Sequence, residues 1–398
     1  MKNIETPGVV DVVEVDLIET VSESPGLRPS PDGGLAAALP LDEPPGGPRD
    51  FHPGWFGAVM GTAIVAVTAY LNPGHVSRLA STSRVVGQTM AIVAIALAIV
   101  LLIPYIARMI LHPHAAWADL RNPAVGALYG TLPGGILVIA ATYAAIGPSW
   151  YSVSSVRDVV AILDWVGIPL AFLTSVIFAY LLFERSEIVP ESVNGGWFIP
   201  PVVNIIVPLV LAPLVPGVSA TSARTLMLMA YGFWGMGFVL YVLVLSMLYQ
   251  RLTLHPLPHA GLAPSLWIGL GPVGVGALAL LKMSAVGAVL FGSVAPSVGL
   301  VSEIAATMLW GFGAWWLIAA ALLLVHYLRS GPLPYGIGWW GFTFPLGAFT
   351  AATLTLASAW QLGSLQWIGA GLFVLLCVFW LIVAGRTIWS LVSRRTLA

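Results

Sequence analysis

Charged residues and cysteine are scarce in this chain. Asp, Glu, Lys and Arg make up 8 % of its 398 residues, against roughly 25 % in soluble proteins, and 58 % of the residues are hydrophobic. The single cysteine, Cys377, excludes an intrachain disulfide and gives no sign of thiol chemistry. Because the apolar runs reach the ~20 residues that a bilayer requires, the composition predicts an all-α integral membrane protein.

Motifs for catalysis and for cofactors are also missing. The sequence has no GxxxxGK[ST] motif for nucleotide phosphates, and its membrane segments contain no nucleophile–base pair and no clustered metal ligands. Histidines 112, 114, 255 and 259 lie beside prolines in two loops, where interfacial residues are more common than metal sites. We therefore predict no enzyme, no metal, no other cofactor and no nucleic-acid partner.

A Pro- and Gly-marked apolar segment occurs five times, at intervals of about 70 residues, a period that indicates a repeated structural unit. Its copies begin at His52, Asn122, Gly196, Leu262 and Gly338, and a longer, smoother apolar run follows each one. The repeat predicts five helical hairpins, hence ten transmembrane helices. The predicted spans are residues 54–71, 86–107, 124–146, 159–182, 197–215, 225–249, 264–281, 302–327, 338–360 and 365–389.

The two ends of the chain differ from this membrane domain. Residues 1–50 hold ten of the seventeen acidic residues and eight prolines, a composition that cannot bury enough apolar surface to order itself. We predict a disordered, acidic, Pro-rich cytosolic tail over 1–50, a ten-helix domain over 51–392 and a short cytosolic C-terminus over 393–398. A regulatory or partner-binding role is the alternative for the tail.

The distribution of basic residues predicts the orientation. Nine arginines lie near the span ends on the side of the N-terminal tail, and five Lys or Arg residues lie on the other side. Cytoplasmic loops carry the excess of positive charge. Both termini are therefore predicted to be cytoplasmic, in a multi-pass protein of the plasma (inner) membrane.

The odd-numbered spans are the candidate lining of a central pore. A proline inside a helix frees a carbonyl that needs water or a protein partner within a membrane. Four odd spans carry such a proline near mid-span, and the first span has two glycines instead, so we predict helix kinks around one partly hydrated axis. The predicted kinks are at Pro133, Pro208, Pro272, Pro345, Gly57 and Gly61. The candidate polar lining residues are Thr62, Thr131, Asn204 and Thr343.

The charge pattern favours anions as the substrate. The odd spans as predicted contain no acidic or basic residue, whereas a cation pathway normally has carboxylates at depth. Backbone N–H groups at helix breaks and basic residues at the mouths suit an anion. Two carboxylates, Asp164 and Glu303, lie just inside even-numbered spans, near ends that water reaches. They are the candidates if transport is coupled to protons.

Four segments of this sequence resemble the tellurite-resistance/dicarboxylate transporter family, which includes slow anion channels, sulfite carriers and malic acid transport proteins. The segments are HPGWFGAVMGTA, WFIPP, PSLWIGLGP and WWGFTFPLGAF. The resemblance covers about residues 51–392. It implies ten helices in five hairpins around a central pore, usually in a homotrimer. It also implies that the phenylalanine before the proline of the ninth helix, here Phe344, plugs the pore.

Phe344 is a candidate gate from its position alone, because an aromatic ring beside a pore-helix proline can exclude water from a narrow axis. Phe342 and Phe349 are the competing residues in other registers. We predict a membrane anion channel or transporter for small anions or C4-dicarboxylates, with a pore gated by Phe344. The alternative is a proton-coupled malate, sulfite or tellurite exporter, and a membrane-embedded enzyme is a more remote one.

Overall fold

The computed structural model describes residues 47–186 and 188–396. Most of the predicted tail, residues 1–46, and the last two residues of the predicted C-terminus lie outside this range. Within it the chain is helical, and none of the described residues forms a β-strand. The prediction of an all-α membrane protein is confirmed, because ten segments of the described chain are long and apolar enough to cross a membrane.

Ten long α-helices, here numbered α1 to α10, form these spans. They are α1 Phe56–Tyr70, α2 Ala80–Leu111, α3 Thr131–Ile146, α4 Val153–Phe183, α5 Ile199–Leu211, α6 Ala220–Leu254, α7 Leu270–Ala285, α8 Ala295–Ser330, α9 Thr343–Ala359 and α10 Gly363–Thr396. Helices α2, α4, α6 and α8 begin several residues before the predicted spans. The first turns of α2, α4 and α6 are polar, so hydropathy leaves them out. Polar residues nevertheless start helices well, and Ser152 and Ser219 cap α4 and α6.

Odd- and even-numbered helices occupy different places. The most apolar window of each odd-numbered span is between 61 % and 89 % buried, and that of each even-numbered span between 17 % and 33 %. We call the odd-numbered helices central and the even-numbered helices peripheral. Neighbouring central helices contact one another in the order α1, α3, α5, α7 and α9, and α9 contacts α1 in turn. Each peripheral helix contacts the central helix that precedes it in the chain. The peripheral helices expose the large apolar side chains that lipid tails cover.

A short 3-10 helix precedes each central helix, and three of these 3-10 helices share one capping contact. The side chain of the capping residue accepts a hydrogen bond from the backbone N–H two residues later, at 2.8–3.1 Å. The three capping residues are His52, Asn194 and His259. Asn122 accepts an equivalent bond from Ala124 N–H at 2.9 Å, ahead of the 3-10 helix that begins at Gly126. One of the four loop histidines, His259, is thus accounted for as a cap, and the described residues contain no group of three metal-binding side chains.

The prolines of the central helices mark where each α-helix starts. Pro133, Pro272 and Pro345 are the third residues of α3, α7 and α9. A proline costs little there, because the first N–H groups of a helix have no partner inside it. The third residue of α5 is Pro201, whereas the predicted member of this set, Pro208, lies near the other end of α5. The four equivalent prolines are therefore Pro133, Pro201, Pro272 and Pro345, separated by 68, 71 and 73 residues.

The glycines of α1 allow a close approach to α9. Helix α1 runs without a break from Phe56 to Tyr70. A Cβ atom on Gly57 would lie 3.3 Å from Trp340 Cβ, and one on Gly61 would collide with the hydroxyl of Thr343. Gly57 and Gly61 were predicted as kinks, but in a continuous helix they provide room for a neighbour.

The cap at His52 predicts a pH-dependent stability. Its Nδ1 accepts the Gly54 N–H, which only an unprotonated nitrogen can do. Burial lowers the pKa of His52, the Asp119 carboxylate raises it by less, and the Arg108 guanidinium lowers it by less again. Arg108 is held there by a 2.6 Å ion pair with Asp119 and by a hydrogen bond to the carbonyl oxygen of Phe51.

We expect the free energy of unfolding to fall when the pH drops below about 6.5, the value for an unperturbed histidine. Below that pH the unfolded chain binds a proton at His52 that the folded chain resists, so the stabilisation from the neutral cap is present above pH 6.5 and lost below it. The loss should be about 1 kcal/mol, the worth of one cap. Melting temperatures in detergent at pH 7.5 and 5.5 test this, with His52→Asn as the control that keeps an acceptor. An equal drop in both proteins contradicts the role of His52.

Candidate functional site

Two cavities lie between the five central spans. The smaller one, here the N-side cavity, has a volume of about 60 Å³ and is lined by residues at or before the starts of the central helices, such as Gly57, Thr131 and Ile199. The larger one, the C-side cavity, has a volume of about 210 Å³ and is lined by residues towards their ends, such as Val138 and Leu278. All five central spans contribute to each cavity. The cavities therefore lie in line along the axis of the helix ring.

Among the residues that the structure describes, Phe344 alone lines both cavities. It is the second residue of α9 and is 6 % exposed. The ring therefore lies where the two cavities meet.

The two competing phenylalanines point elsewhere. The ring of Phe342 packs against Trp267 and Phe379, with centroid distances of 5.6 and 5.3 Å. The ring of Phe349 stacks on Trp310 of α8 at 6.1 Å. Neither residue lines either cavity. Of the three candidates, Phe344 alone has the register of an axial residue.

The second residues of the other central helices, which correspond in position to Phe344 in α9, are Gly57, Leu132, Pro200 and Gly271. Gly57 lines the N-side cavity together with Phe344, whereas the other three line neither axial cavity. Phe344 is therefore the one aromatic residue at this position of the five central helices.

Most of the candidate polar lining residues do not reach the cavities. Thr131 lines the N-side cavity, whereas Thr62, Asn204 and Thr343 line neither. The hydroxyl of Thr131 donates to the carbonyl oxygens of Pro53 and Leu128, so its proton is already engaged. Pro345 lines the N-side cavity, and Pro133, Pro208 and Pro272 are buried without lining either. The walls are therefore mainly apolar.

Among the described residues, Lys282 is the one charged side chain that lines either axial cavity. It is an exposed residue near the C-terminal end of α7 and borders the C-side cavity. The predicted seventh span stopped at residue 281, so the sequence had assigned Lys282 to the mouth and not to the wall. No acidic residue of the described ranges, 47–186 and 188–396, lines either cavity. The fixed charge along this axis is positive.

The two intramembrane carboxylates differ in their surroundings. Asp164 was predicted near a span end within reach of water, but α4 begins at Val153 and places Asp164 well inside the helix. It is 4 % exposed, and neither carboxylate oxygen has a hydrogen-bond partner in the described structure. Glu303 of α8 is only partly buried. Asp164 is therefore the deeper of the two.

Comparison with known proteins identifies the family. The sequence profile of the voltage-dependent anion channel family matches residues 50–388, which includes all ten spans except the end of the last. The chain belongs to this family. The resemblance predicted from the four segments is thereby confirmed, and so is the prediction of a membrane anion channel or transporter.

Relatives from distant organisms are transport proteins too. An uncharacterized transporter of Methanocaldococcus jannaschii is 34 % identical over 342 residues, covering 85 % of this chain and 93 % of the relative. A sulfite efflux pump of Trichophyton rubrum is 29 % identical over 356 residues, 86 % of this chain and 91 % of the pump. A malic acid transport protein of Schizosaccharomyces pombe is 23 % identical over 236 residues, 56 % of this chain and 53 % of that protein. This voltage-dependent anion channel family member is thus similar to carriers of both inorganic and organic anions.

Proposed function

We propose that this protein passes small anions along the axis between its central helices, and that the ring of Phe344 closes the path. The observation that carries the proposal is the position of Phe344, which separates two cavities lined by all five central spans. A narrow apolar constriction excludes water, and with it ions, until the ring moves. The relatives named for sulfite and malic acid support anions as the substrate class.

The charge along the path also supports anions over cations. Lys282 adds a positive charge at the C-side cavity, and no carboxylate in the described part of the chain lines either cavity. A cation entering a low-dielectric path without a carboxylate is not compensated, whereas an anion is attracted by the ammonium group.

An anion-substitution series in proteoliposomes tests the proposal. We expect flux of chloride, nitrate and sulfite, slower flux of malate and none of potassium. The bulky anion gluconate serves as the blank. A reversal potential that follows the potassium gradient contradicts an anion pathway.

Replacing Lys282 should reduce this flux. Two unit charges ~4 Å apart in water interact by about 1 kcal/mol, so Lys282→Gln should lower anion flux roughly fivefold, and the loss should shrink at high salt. Lys282→Arg should retain flux. Arg78→Gln removes a basic residue from the same predicted side without touching a cavity and should have little effect. Equal losses in both glutamine variants contradict a specific role for Lys282.

A proton-coupled exporter is the second candidate, favoured by one observation. Asp164 is a buried carboxylate with no hydrogen-bond partner in the described structure, and ionisable groups at such depth often bind protons in transporters. Sulfite uptake driven by a pH gradient distinguishes a coupled carrier from a channel. Asp164→Asn should abolish that coupling, and Glu303→Gln should leave it intact. If the pH gradient does not affect transport, the coupled exporter is contradicted and the channel is retained.

The remaining parts of the proposal concern assembly and orientation. The protein is proposed to lie in the plasma membrane with both termini in the cytoplasm, as the excess of basic residues on the tail side supports. The apolar surface of the peripheral helices is proposed to bury partly in a homotrimer. Mass measurement in mild detergent tests the trimer. Cysteines at positions 78 and 329 should label from opposite sides with an impermeant reagent, and deletion of residues 1–48 should leave transport intact if the acidic tail is a separate unit.

A further inference from the structure

We propose that the N-side cavity is a binding site for one small inorganic anion, held by the indole N–H of Trp340. This inference rests on the proposed anion pathway and adds a site, a donor and a size limit to it. The site lies directly below the ring of Phe344, on the side where the central helices begin.

The starts of the five central helices provide a field that suits an anion. Each of these helices is between 13 and 17 residues long, and residues at or next to their first turns line the cavity. The N-terminal end of an α-helix carries a partial positive charge. The first N–H of each helix is already bonded to a carbonyl oxygen of the preceding 3-10 segment. The helix ends therefore contribute a positive electrostatic potential but few free N–H groups. A hydrogen-bond donor for the anion has to come from a side chain.

Trp340 provides an unused donor at this point. It lines the cavity and is 5 % exposed, and its Nε1 has no hydrogen-bond partner in the described structure. Seven other described tryptophans each donate Nε1 to an oxygen: Trp197, Trp234, Trp310, Trp316, Trp339, Trp360 and Trp380. Trp267 also has an unpartnered Nε1, but it lines neither axial cavity. A buried donor without a partner is unfavourable, and an anion at the cavity gives Trp340 one.

The packing of the indole against α1 leaves its N–H free of that helix. A Cβ atom on Gly57 would lie 3.3 Å from Trp340 Cβ, and one on Gly61 would lie 3.1 Å from its Cε3. Both of these Trp340 atoms belong to the same long edge of the side chain, which therefore faces α1. Nε1 is on the opposite edge, away from α1.

The volume of the cavity limits the ligand. One water needs roughly 10–15 Å³ of such space, so about 60 Å³ is room for a few waters or for one anion the size of chloride, nitrate or sulfite. A C4-dicarboxylate is too large for this cavity while the ring of Phe344 stays in place. The site therefore selects small inorganic anions, and a larger anion binds only after the ring has moved.

The experiment compares Trp340→Phe with Trp339→Phe in the full-length protein. The first variant keeps an aromatic ring and removes the proposed donor. The second removes a neighbouring indole N–H, which donates to the carbonyl oxygen of Pro334 outside the cavity. Thermal stabilisation by added sodium sulfite, sodium nitrate or sodium malate, at constant ionic strength, measures binding. The anion concentration that gives half-maximal flux in proteoliposomes is the second readout.

We expect Trp340→Phe to weaken sulfite and nitrate binding about tenfold in both readouts, and Trp339→Phe to leave binding unchanged. Malate should stabilise the wild-type protein far less than sulfite does. Equal affinities of wild type and Trp340→Phe overturn the site, and so does malate binding as tight as that of sulfite. If sulfite stabilises the protein but no flux is measured, the binding site is supported and the proposed pathway is contradicted. If flux is measured but Trp340→Phe binds sulfite as tightly as the wild type does, the pathway is supported and the site is contradicted.

A measurement on the wild-type protein guards against a variant that fails to fold. Crystals grown in sodium bromide should give an anomalous peak within hydrogen-bond distance of Trp340 Nε1. Bromide sites elsewhere with none at Trp340 overturn the proposal.

Discussion

Phe344→Ala should raise anion flux by about tenfold or more, which corresponds to lowering the barrier by at least ~1.4 kcal/mol. The substitution removes the side chain that lies between the two axial cavities and joins them into one continuous space. Water then enters a path that the ring had kept dry. Flux of chloride and nitrate from proteoliposomes, normalised to the amount of folded protein, measures the change. Potassium flux measured in parallel checks that the open path still prefers anions.

Phe342→Ala and Phe349→Ala are the matched controls on the same segment. Each of these rings packs against other aromatic rings away from the axis, so truncation should cost roughly 3–5 kcal/mol of stability without opening the path. Higher flux in either control, with none in Phe344→Ala, contradicts the assignment of the gate. If Phe344→Ala misfolds while both control variants fold, the ring of Phe344 serves packing of the core and not gating.

Gly274→Ala should prevent correct folding or cost at least ~3 kcal/mol, the upper end for overpacking a core. A Cβ atom at Gly274 would lie 2.5 Å from the backbone nitrogen of Phe349 and 2.6 Å from the carbonyl carbon of Ala348. These are main-chain atoms, which no side-chain rotation can move aside, so α7 and α9 would have to separate. The yield of monodisperse protein and its melting temperature in detergent measure the loss.

Gly276→Ala is the control two positions further along α7, where a Cβ atom would face Leu309, Trp234 and Ile205 instead of α9. Its Cβ would meet nothing closer than 3.5 Å, an ordinary contact, and alanine favours a helix over glycine by up to ~1 kcal/mol. Equal or higher stability is expected. If both alanine variants fold normally, the contact between α7 and α9 is looser than the structure describes.

The sequence was sufficient for the ten spans, because their apolar runs and their five-fold period are long-range patterns that single residues do not disturb. It was also sufficient to select Phe344 as a gate candidate, through its position before Pro345 and through the family resemblance. Phe342 and Phe349 could not be excluded from the sequence. Their exclusion depends on the direction in which each ring points, and this follows from packing against α8 and α10.

The errors also have physical causes. Pro208 was chosen over Pro201 because a mid-span proline looks like a kink, whereas the structure uses the proline to start the α-helix after a 3-10 segment. Lys282 was missed as a wall residue because hydropathy ends a span at the first charge, although a helix continues beyond it. Trp340 gave no signal at all. An unpartnered N–H is visible only when every neighbouring oxygen has been located.

The parallel course of the central helices has an electrical consequence. Each pair of successive central helices is joined through one peripheral helix, so all five run in the same direction across the membrane, and their dipoles add instead of cancelling. The electrostatic potential is therefore more positive at the mouth where the central helices begin and more negative at the mouth where they end. Lys282, at the second mouth, offsets only part of that negative potential. We expect such a path to rectify, which means that it carries unequal currents at equal and opposite voltages. Protein inserted in both directions hides this property, and only a preparation with a single orientation reveals it.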